Sequence, residues 1–324
     1  MSPNCFETNP DISGLGVRLS FYLQTIALVL LTGRSLEESL NSVWTLLGTS
    51  FGLTISALVT AVQNELPLYQ AIVVTDLVWL ANYAIFMALA TYNRHPKGSH
   101  TVQYAAIGQT YISMAIILYL WSRAAELEKL QQGAQHIDNT IFVVLFISTP
   151  ATGKGRTVAI IISSLFLLGY TAVACHFFWN NYPRMLLFRT LSKTASQSQS
   201  SSAGKSSPQP SPKRPKSRPK HSSRLPPSLS VDPHLIILGL CFIVPYVVTV
   251  GSTELQLKRN PLCSGDSFWG FGQILAMTVT IVPVFITLEA FRKYGFNQRA
   301  RAAGEHADAA SNPSVNHMQL NTLP

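Results

Sequence analysis

The chain has 324 residues, of which 47% are hydrophobic and only 12% are charged. Soluble domains carry about 25% charged residues, so long uncharged stretches must account for the shortfall. The formal net charge of +9 has a single origin, because residues 182–233 hold ten basic residues and one acid, Asp232. The basic balance therefore describes one loop and gives no support for a nucleic-acid-binding fold.

Seven apolar segments are long enough to cross a bilayer, whose hydrocarbon core of about 30 Å needs about 20 residues of helix. They are residues 16–33, 40–63, 66–91, 101–122, 157–180, 234–254 and 268–290. Seven such helices are difficult to bury in a protein surrounded by water. The predicted fold class is all-α, a polytopic membrane helical bundle of about seven transmembrane helices.

The same pattern divides the chain into five regions. They are an extracytosolic N-terminal segment (1–15), transmembrane helices one to five with their loops (16–180), a basic Ser/Pro-rich cytosolic loop (181–233), transmembrane helices six and seven (234–291) and a cytosolic tail (292–324). The loop and the tail are too polar to bury an apolar core, so we expect both to be disordered.

The orientation follows from the excess of Lys and Arg on the cytosolic side of membrane proteins. With the N-terminus outside, 17 of the 24 Lys and Arg residues lie on the cytosolic side. Ten of them belong to the long loop, which therefore decides the orientation. The prediction is N-out and C-in, in either the plasma membrane or an internal membrane.

Residues 141–149 are strongly apolar, but nine residues are too few to span a bilayer, and Pro150 ends the run. We interpret this segment as an interfacial or re-entrant piece that packs on the bundle. An eighth span is the alternative.

Two patterns inside the spans indicate helix packing. Gly48, Gly52 and Ser56 form a row of small residues that allows helices to approach closely. Pro245 and Pro283 lie inside the sixth and seventh segments and should kink them. A role in lining a ligand cavity is the alternative for all five residues.

The cytosolic loop carries its densest charge next to several prolines, at Lys213, Arg214, Lys216, Arg218 and Lys220. Each basic residue near an anionic leaflet contributes about 1 kcal/mol of binding free energy. Besides the lipid bilayer, the expected partners are anionic lipids or a cytosolic protein bound through residues 182–233. A plain solvated linker is the alternative, and no nucleic-acid partner is expected.

The four cysteines fall into two groups. Cys5 and Cys263 lie outside the apolar segments, on the oxidising outer side of the predicted topology, and are a candidate disulfide. Two unpaired thiols are the alternative. Cys175 and Cys241 fall inside apolar segments and are expected to be small buried hydrophobic residues.

Asp76 is the one acid deep inside a predicted span, about 15 Å from Leu66 at 1.5 Å per residue. An aspartate at the centre of a bilayer costs about 2.5–3.5 kcal/mol on insertion scales, so its side chain must face the bundle interior or water. We name Asp76, Gln70 and Asn82 as a candidate intramembrane polar site. A structural aspartate that is hydrogen-bonded to a neighbouring helix is the alternative.

The residues needed for enzymatic chemistry are missing from the spans. A zinc hydrolase needs several converging ligands, whereas the spans hold only His176 and His234. Aspartyl catalysis needs paired acids, and Asp76 has no such partner. A retinal protein would need a lysine in its last span, and residues 268–290 contain none. We expect no catalytic residue, no metal site and no cofactor.

Residues 9–18 read Asn-Pro-Asp-Ile-Ser-Gly-Leu-Gly-Val-Arg. They resemble the N-terminal signature Asn-Pro-Asp-Ile-x-Gly-x-Gly-Val-Arg of a group of uncharacterised fungal multi-span membrane proteins. Residues 68–74 with Trp79, and residues 269–276, are also similar to that group. The resemblance implies a multi-span fold and brings no activity, substrate or cofactor. Position 76 is commonly Asn in the group, and this weakens a proton-relay role for Asp76.

The signature also has a physical interpretation. The positions that carry it are Asn9, Pro10, Asp11, Gly14, Gly16 and Arg18. We expect Asp11 or Ser13 to cap the first helix, and the two glycines to permit close backbone approach. Arg18 should extend to the headgroups and anchor the helix at the interface. Together these features predict a structural plug on the outer face, with ligand contact as the alternative.

Three functions remain compatible with the sequence. The first is a non-enzymatic, receptor- or sensor-like protein that couples an outer or intramembrane site to the basic loop. The second is a transporter or channel that uses Asp76. The third is a structural membrane component.

The predicted orientation has a direct test. In sealed microsomes whose cytosolic face points outward, added protease should remove a C-terminal tag and spare an N-terminal tag. Detergent lysis, the control, should expose both tags. Loss of the N-terminal tag with protection of the C-terminal tag would contradict the N-out orientation.

Overall fold

The structure is a computed structural model that describes residues 9–92, 100–135, 140–198, 233–260 and 269–294. These residues are almost entirely helical. In chain order the helices are α1 (Pro10–Ser13), α2 (Leu15–Thr32), α3 (Leu36–Val62), α4 (Leu68–Tyr92), α5 (His100–Ser122), α6 (Ala124–Gln135), α7 (Arg156–Ser198), α8 (Pro233–Arg259) and α9 (Phe271–Tyr294). Two short strands, β1 (Ile141–Val144) and β2 (Ile147–Pro150), and a π-helical turn, Ala151–Gly155, precede α7.

Seven of the described helical segments are long and apolar enough to cross a membrane. They are Pro10–Thr32, Glu38–Val62, Leu68–Thr91, Thr101–Ser122, Ala151–His176, Ile236–Arg259 and Phe271–Lys293. Each overlaps one of the seven segments predicted from the sequence. The all-α membrane bundle is thereby confirmed.

The core of the bundle lies around α2 and α4. Helix α4 packs against α2, α3, α5 and α8, and α2 packs against α3, α4 and α9. Leu28 of α2 and Leu77 and Ala81 of α4 are almost completely buried. Their apolar side chains fill the space between helices, where dispersion contacts rather than the exclusion of water hold a membrane bundle together.

The row of small residues on α3 does not pack as predicted. Gly48, Gly52 and Ser56 are exposed, and no atom lies within 4 Å of a Cβ built on either glycine. The row faces outward from the chain, so the prediction of close packing within this bundle is wrong. Pro245 and Pro283 lie inside α8 and α9, as the sequence predicted.

Residues 141–150 form an antiparallel β-hairpin, with Ile141 opposite Pro150 and Val144 opposite Ile147. This segment is therefore not an eighth span. Its two turn residues, Leu145 and Phe146, have φ angles of 49° and 65°. Each residue in this left-handed region costs roughly 1–2 kcal/mol unless it is glycine, so tertiary contacts must hold the turn in place.

Helix α8 supplies those contacts. The Phe146 ring packs on Gly251, where an added Cβ would lie 2.6 Å from the ring. Gly251 precedes Arg259 by eight residues, about 12 Å along the helix axis, and lies within the sixth span. The tip of the hairpin therefore packs beside a transmembrane helix, while Leu145, Phe146 and Ile147 stay exposed on the surface of the bundle. Packing on the bundle agrees with the prediction for residues 141–149.

The outer edge of β1 is paired with side chains of α8. The Ile141 N–H donates to Asn260 Oδ1 at 3.0 Å, and Asn260 Nδ2 donates to the Ile141 carbonyl at 2.9 Å. One helical turn earlier, Gln256 Oε1 accepts from the Val143 N–H at 3.4 Å. At the base of the hairpin, the Thr140 N–H donates to Glu128 Oε1 of α6 at 3.0 Å. These side chains replace the missing neighbouring strand.

Two helical regions were not predicted from the sequence. Helix α6 lies between the fourth and fifth predicted spans, where the sequence predicts a loop, and its Leu127 and Glu128 are buried. Helix α7 continues to Ser198, so the beginning of the predicted disordered loop 181–233 is helical. The chain divides into two compact units, residues 1–167 with 230–324, and residues 168–229.

The structure tests the cysteine predictions only in part. Cys175 and Cys241 are free and exposed, so the expectation that both are buried is wrong; their side chains lie on outward helix faces. The candidate disulfide between Cys5 and Cys263 lies outside the described residues, as do the basic loop positions 213–220.

Candidate functional site

The signature segment begins with a capped helix. Asn9 Oδ1 accepts from the Asp11 N–H at 3.1 Å, and Pro10 occupies the first turn of α1. Proline suits this position because the N–H that it lacks would have no partner within the helix. The capping residue is therefore Asn9, and the prediction of Asp11 or Ser13 in this role is wrong.

Asp11 instead binds the start of the last transmembrane helix. Its Oδ1 accepts from the Gly272 N–H at 3.0 Å. A Cβ on Gly272 would lie 2.9 Å from Asp11 Cβ, and one on Gly270 would collide with Asp11 Oδ1. A carboxylate at a helix N-terminus gains about 0.3–1 kcal/mol from the unpaired N–H groups. Asp11 thus fixes α9 to the N-terminal segment.

The two signature glycines press against the same helix. The Gly16 N–H donates to Gln273 Oε1 at 2.7 Å, and a Cβ on Gly16 would lie 2.8 Å from Gln273 Cβ. Gly14 also abuts the Gln273 side chain. On the other side, Gln70 Nε2 donates to the Asn9 carbonyl and to Ser13 Oγ, both at 3.0 Å.

Residues 9–18, Gln70 and residues 269–276 therefore meet in one cluster, which we call the signature cluster. They come from the three stretches to which the predicted resemblance applies. The signature positions up to Gly16 are engaged in contacts within the chain, and this favours the structural plug over ligand contact.

Arg18 does not extend to the headgroups as predicted. Only 6% of it is exposed, and its Nη1 lies 3.6 Å from Glu254 Oε2 of α8. The Tyr22 hydroxyl donates to the other oxygen, Glu254 Oε1, at 3.0 Å. Burial of a guanidinium inside a membrane protein requires a partner of opposite charge. Glu254 provides it, while 45% of its own side chain stays exposed.

The three predicted intramembrane polar residues do not form one site. Gln70 belongs to the signature cluster. Asn82 is buried, and neither of its amide atoms has a hydrogen-bond partner among the described residues. Asp76 is partly buried, and its Oδ2 accepts from Thr253 Oγ1 of α8 at 3.0 Å. Asp76 lines a cavity.

This cavity, the Asp76 cavity, has a volume of about 190 Å³. Its wall comes from α4, the end of α5, the hairpin, α7 and α8. The lining residues are Thr75, Asp76, Trp79, Trp121, Phe142, Val143, Val144, Leu145, Ala159, Ile162, Ser163, Val248, Thr249 and Ser252. The hairpin supplies four consecutive residues of this lining, so the cavity depends on the position of the hairpin.

Aromatic rings form much of the wall. The Trp121 and Phe142 rings meet at 64° with centroids 4.9 Å apart. On the α4 side, Trp79 meets Phe166 of α7 at 62° and 4.2 Å. Edge-to-face pairs of this kind contribute about 0.5–1.5 kcal/mol beyond the area they bury. These contacts between side chains of the protein therefore fix the orientation of the rings.

The start of α7 is attached to the end of α5 by a single side chain. Arg156 donates from Nε to the Trp121 carbonyl at 3.1 Å and from Nη2 to the Ser122 carbonyl at 2.8 Å. A cation beside helix C-terminal carbonyls is electrostatically favourable. This contact sets the spacing between the two helices on either side of the cavity.

The electrostatic character of the cavity rests on Asp76. Among the described residues, no lysine, arginine or histidine forms an ion pair with it. The hydroxyl of Ser252, on the same wall, has no hydrogen-bond partner within the described part of the chain. No group of three or more His, Cys, Asp or Glu side chains that could hold a metal ion occurs in the described residues.

The sequence pointed to Asp76 but missed the residues around it. Trp121, Phe142 and Ser252 come from three different elements, and one of these is a hairpin whose turn lacks glycine and asparagine. No spacing in the sequence links them.

The signature cluster predicts a contrast between two glycine substitutions. Gly16→Ala should lower thermal stability in detergent, by about 1–3 kcal/mol, because its Cβ overpacks against Gln273. Gly48→Ala, on the open face of α3, should leave stability unchanged or raise it by up to about 1 kcal/mol. Equal melting temperatures for the two variants would contradict the role assigned to Gly16.

No family model, no curated protein and no solved structure matches the chain. The family resemblance of residues 9–18 therefore stays a prediction. What the fold itself establishes is that the chain is a multi-pass integral membrane protein.

Proposed function

We propose that the chain is a non-enzymatic, receptor- or sensor-like membrane protein whose ligand binds in the Asp76 cavity. The observation that carries this proposal is the position of the cavity between α7 and α8. These two helices are joined in sequence by residues 199–232, which make up most of the basic loop 181–233. A ligand in the cavity would contact both of the helices that this loop connects.

The packing of α7 supports a signalling role. Up to Leu167, this helix faces the bundle with Ala159, Ser163 and the Phe166 ring, whereas Ile161 and Leu165 are exposed. In the apolar window of this span 17% of the residues are buried within the chain, against 67% in the spans of α2 and α4. Loosely held elements are the ones that ligands shift, because moving them costs little free energy.

The charge of the loop supports a cytosolic output. Ten basic residues within 182–233 would attract anionic lipids or an acidic protein surface, each contributing about 1 kcal/mol near a membrane. A change in the spacing of α7 and α8 would alter how much of the loop reaches that surface. Ligand binding and loop exposure are coupled in this scheme through the two helices alone.

A transporter is the second candidate, and the polar residues beside the cavity favour it. Thr253, which donates to Asp76, directly precedes Glu254, which pairs with Arg18. An ionisable and a hydroxyl side chain of α8 are thus present close to Asp76, and ionisable residues inside spans mark ion or substrate paths in membrane proteins.

A genetic experiment separates these roles without a known ligand. In cells that lack the native gene, we expect Ser163→Phe, which fills the cavity, to reproduce at least half of the deletion phenotype. Deletion of residues 200–224 should do the same. The double variant should be no more severe than either single variant, because both changes interrupt one pathway.

The matched control is Leu165→Phe, two residues along α7 on its exposed face, which should behave like the native protein. Membrane levels measured through a C-terminal tag exclude misfolding, and Asp76→Asn provides a second cavity variant. A severe Ser163→Phe phenotype with a silent loop deletion would indicate transport. Silence of both, at native protein levels, would indicate a structural component.

A further inference from the structure

We propose that the Asp76 cavity binds an organic ammonium group, that is, a protonated or alkylated amine. This inference deepens the proposed function by naming the chemical class of the ligand at the same site. It rests on the charge, the aromatic wall and the size of the cavity.

A carboxylate inside a membrane span is costly unless a partner neutralises it. Asp76 lies eight residues into α4, about 12 Å from the start of the helix. Within the described residues it receives one hydrogen bond, from Thr253, and no cationic side chain pairs with it. Glu254 on the neighbouring helix shows the contrast, because Arg18 neutralises it. A cationic ligand would fill the same role at Asp76.

The aromatic wall selects an organic cation over a metal ion. Trp79, Trp121 and Phe142 line the same space as the carboxylate. Alkylated ammonium groups are attracted to the face of an aromatic ring, and tryptophan binds them better than phenylalanine does. Hard metal ions need six or more oxygen ligands, whereas this lining offers one carboxylate and a few hydroxyls.

The volume restricts the size of the group that enters. At about 190 Å³ the cavity is smaller than typical drug-binding pockets of about 300–1,000 Å³. A small amine fits, or the headgroup of a larger molecule. The Ser252 hydroxyl, which lacks a partner among the described residues, stands on the same wall. It would accept a hydrogen bond from a ligand hydroxyl or N–H next to the ammonium centre, or donate one to a ligand hydroxyl oxygen there.

The ammonium group has two sources, the aqueous phase and the bilayer. Leu145 and Ile162 belong to the lining of the cavity and are also exposed on the surface of the bundle. An amphiphile could therefore place its headgroup in the cavity and leave its chain in lipid. A free amine would use the same carboxylate and rings, so the experiment includes both.

The test uses the full chain in lipid nanodiscs and compares cations with neutral molecules of the same shape. The soluble pair is choline and 3,3-dimethyl-1-butanol, and the amphiphilic pair is octyltrimethylammonium and 2,2-dimethyldecane. Binding is followed by tryptophan fluorescence and by the shift in melting temperature. We expect at least one cation to bind saturably, and at least tenfold more tightly than its neutral counterpart.

Three variants locate the binding. Asp76→Asn preserves the side-chain shape and should weaken cation binding at least tenfold while leaving the neutral molecule unaffected. Trp121→Leu should weaken it at least threefold. Glu289→Gln, an exposed acid on α9, is the control and should leave affinity within twofold of native.

Saturable binding of choline alone identifies an aqueous ligand, and binding of the amphiphile alone identifies a membrane one. Equal affinity for cation and neutral molecule, no saturable binding of either cation, or an unaffected Asp76→Asn variant would overturn the proposal. Such a failure leaves the genetic result standing, since a cavity that acts through the loop with a neutral ligand would still show the double-variant behaviour.

Discussion

Every backbone N–H and C=O group that lies inside a bilayer needs a partner within the protein, since lipid offers none. The helices meet this requirement by themselves, but the β-hairpin at 141–150 does not. Its exposed edge would be costly beside α8 if Asn260 and Gln256 did not bond to β1. These two side chains lie one helical turn apart on α8, so they present the same face to the strand. The rest of the candidate site depends on this pairing.

The cavity follows directly from the position of the hairpin. Phe142 completes an aromatic corner with Trp121, and Leu145 closes the wall near α8. The turn keeps two residues in left-handed backbone conformations that neither prefers. Strain of this sort tends to occur at functional sites, where surrounding contacts maintain it. The signature cluster has a different character, because the hydrogen bonds of Asp11 and Gly16 fasten the N-terminal segment to α9.

The spans were predictable because about 20 apolar residues in succession have only one stable arrangement in lipid. Asp76 stood out for the same reason, as a charge inside such a run. The hairpin was predictable only as a piece too short to span, because Leu145 and Phe146 lack the glycine or asparagine that marks a tight turn. Arg18 was misplaced at the interface because its partner, Glu254, is more than 200 residues away in sequence. Gly48 and Gly52 show the same limit, since a row of small residues does not reveal which way it faces.

Hydrogen–deuterium exchange of residues 141–150 shows most directly whether side chains of α8 hold the hairpin in place. In lipid nanodiscs, Asn260→Leu keeps the branched shape of the side chain but removes both hydrogen bonds to Ile141. We expect at least tenfold faster exchange across the hairpin in this variant, and native exchange in the neighbouring control Arg259→Leu, at a position whose native side chain is exposed. Native protection of the hairpin in Asn260→Leu would contradict the claim that α8 side chains hold it in place.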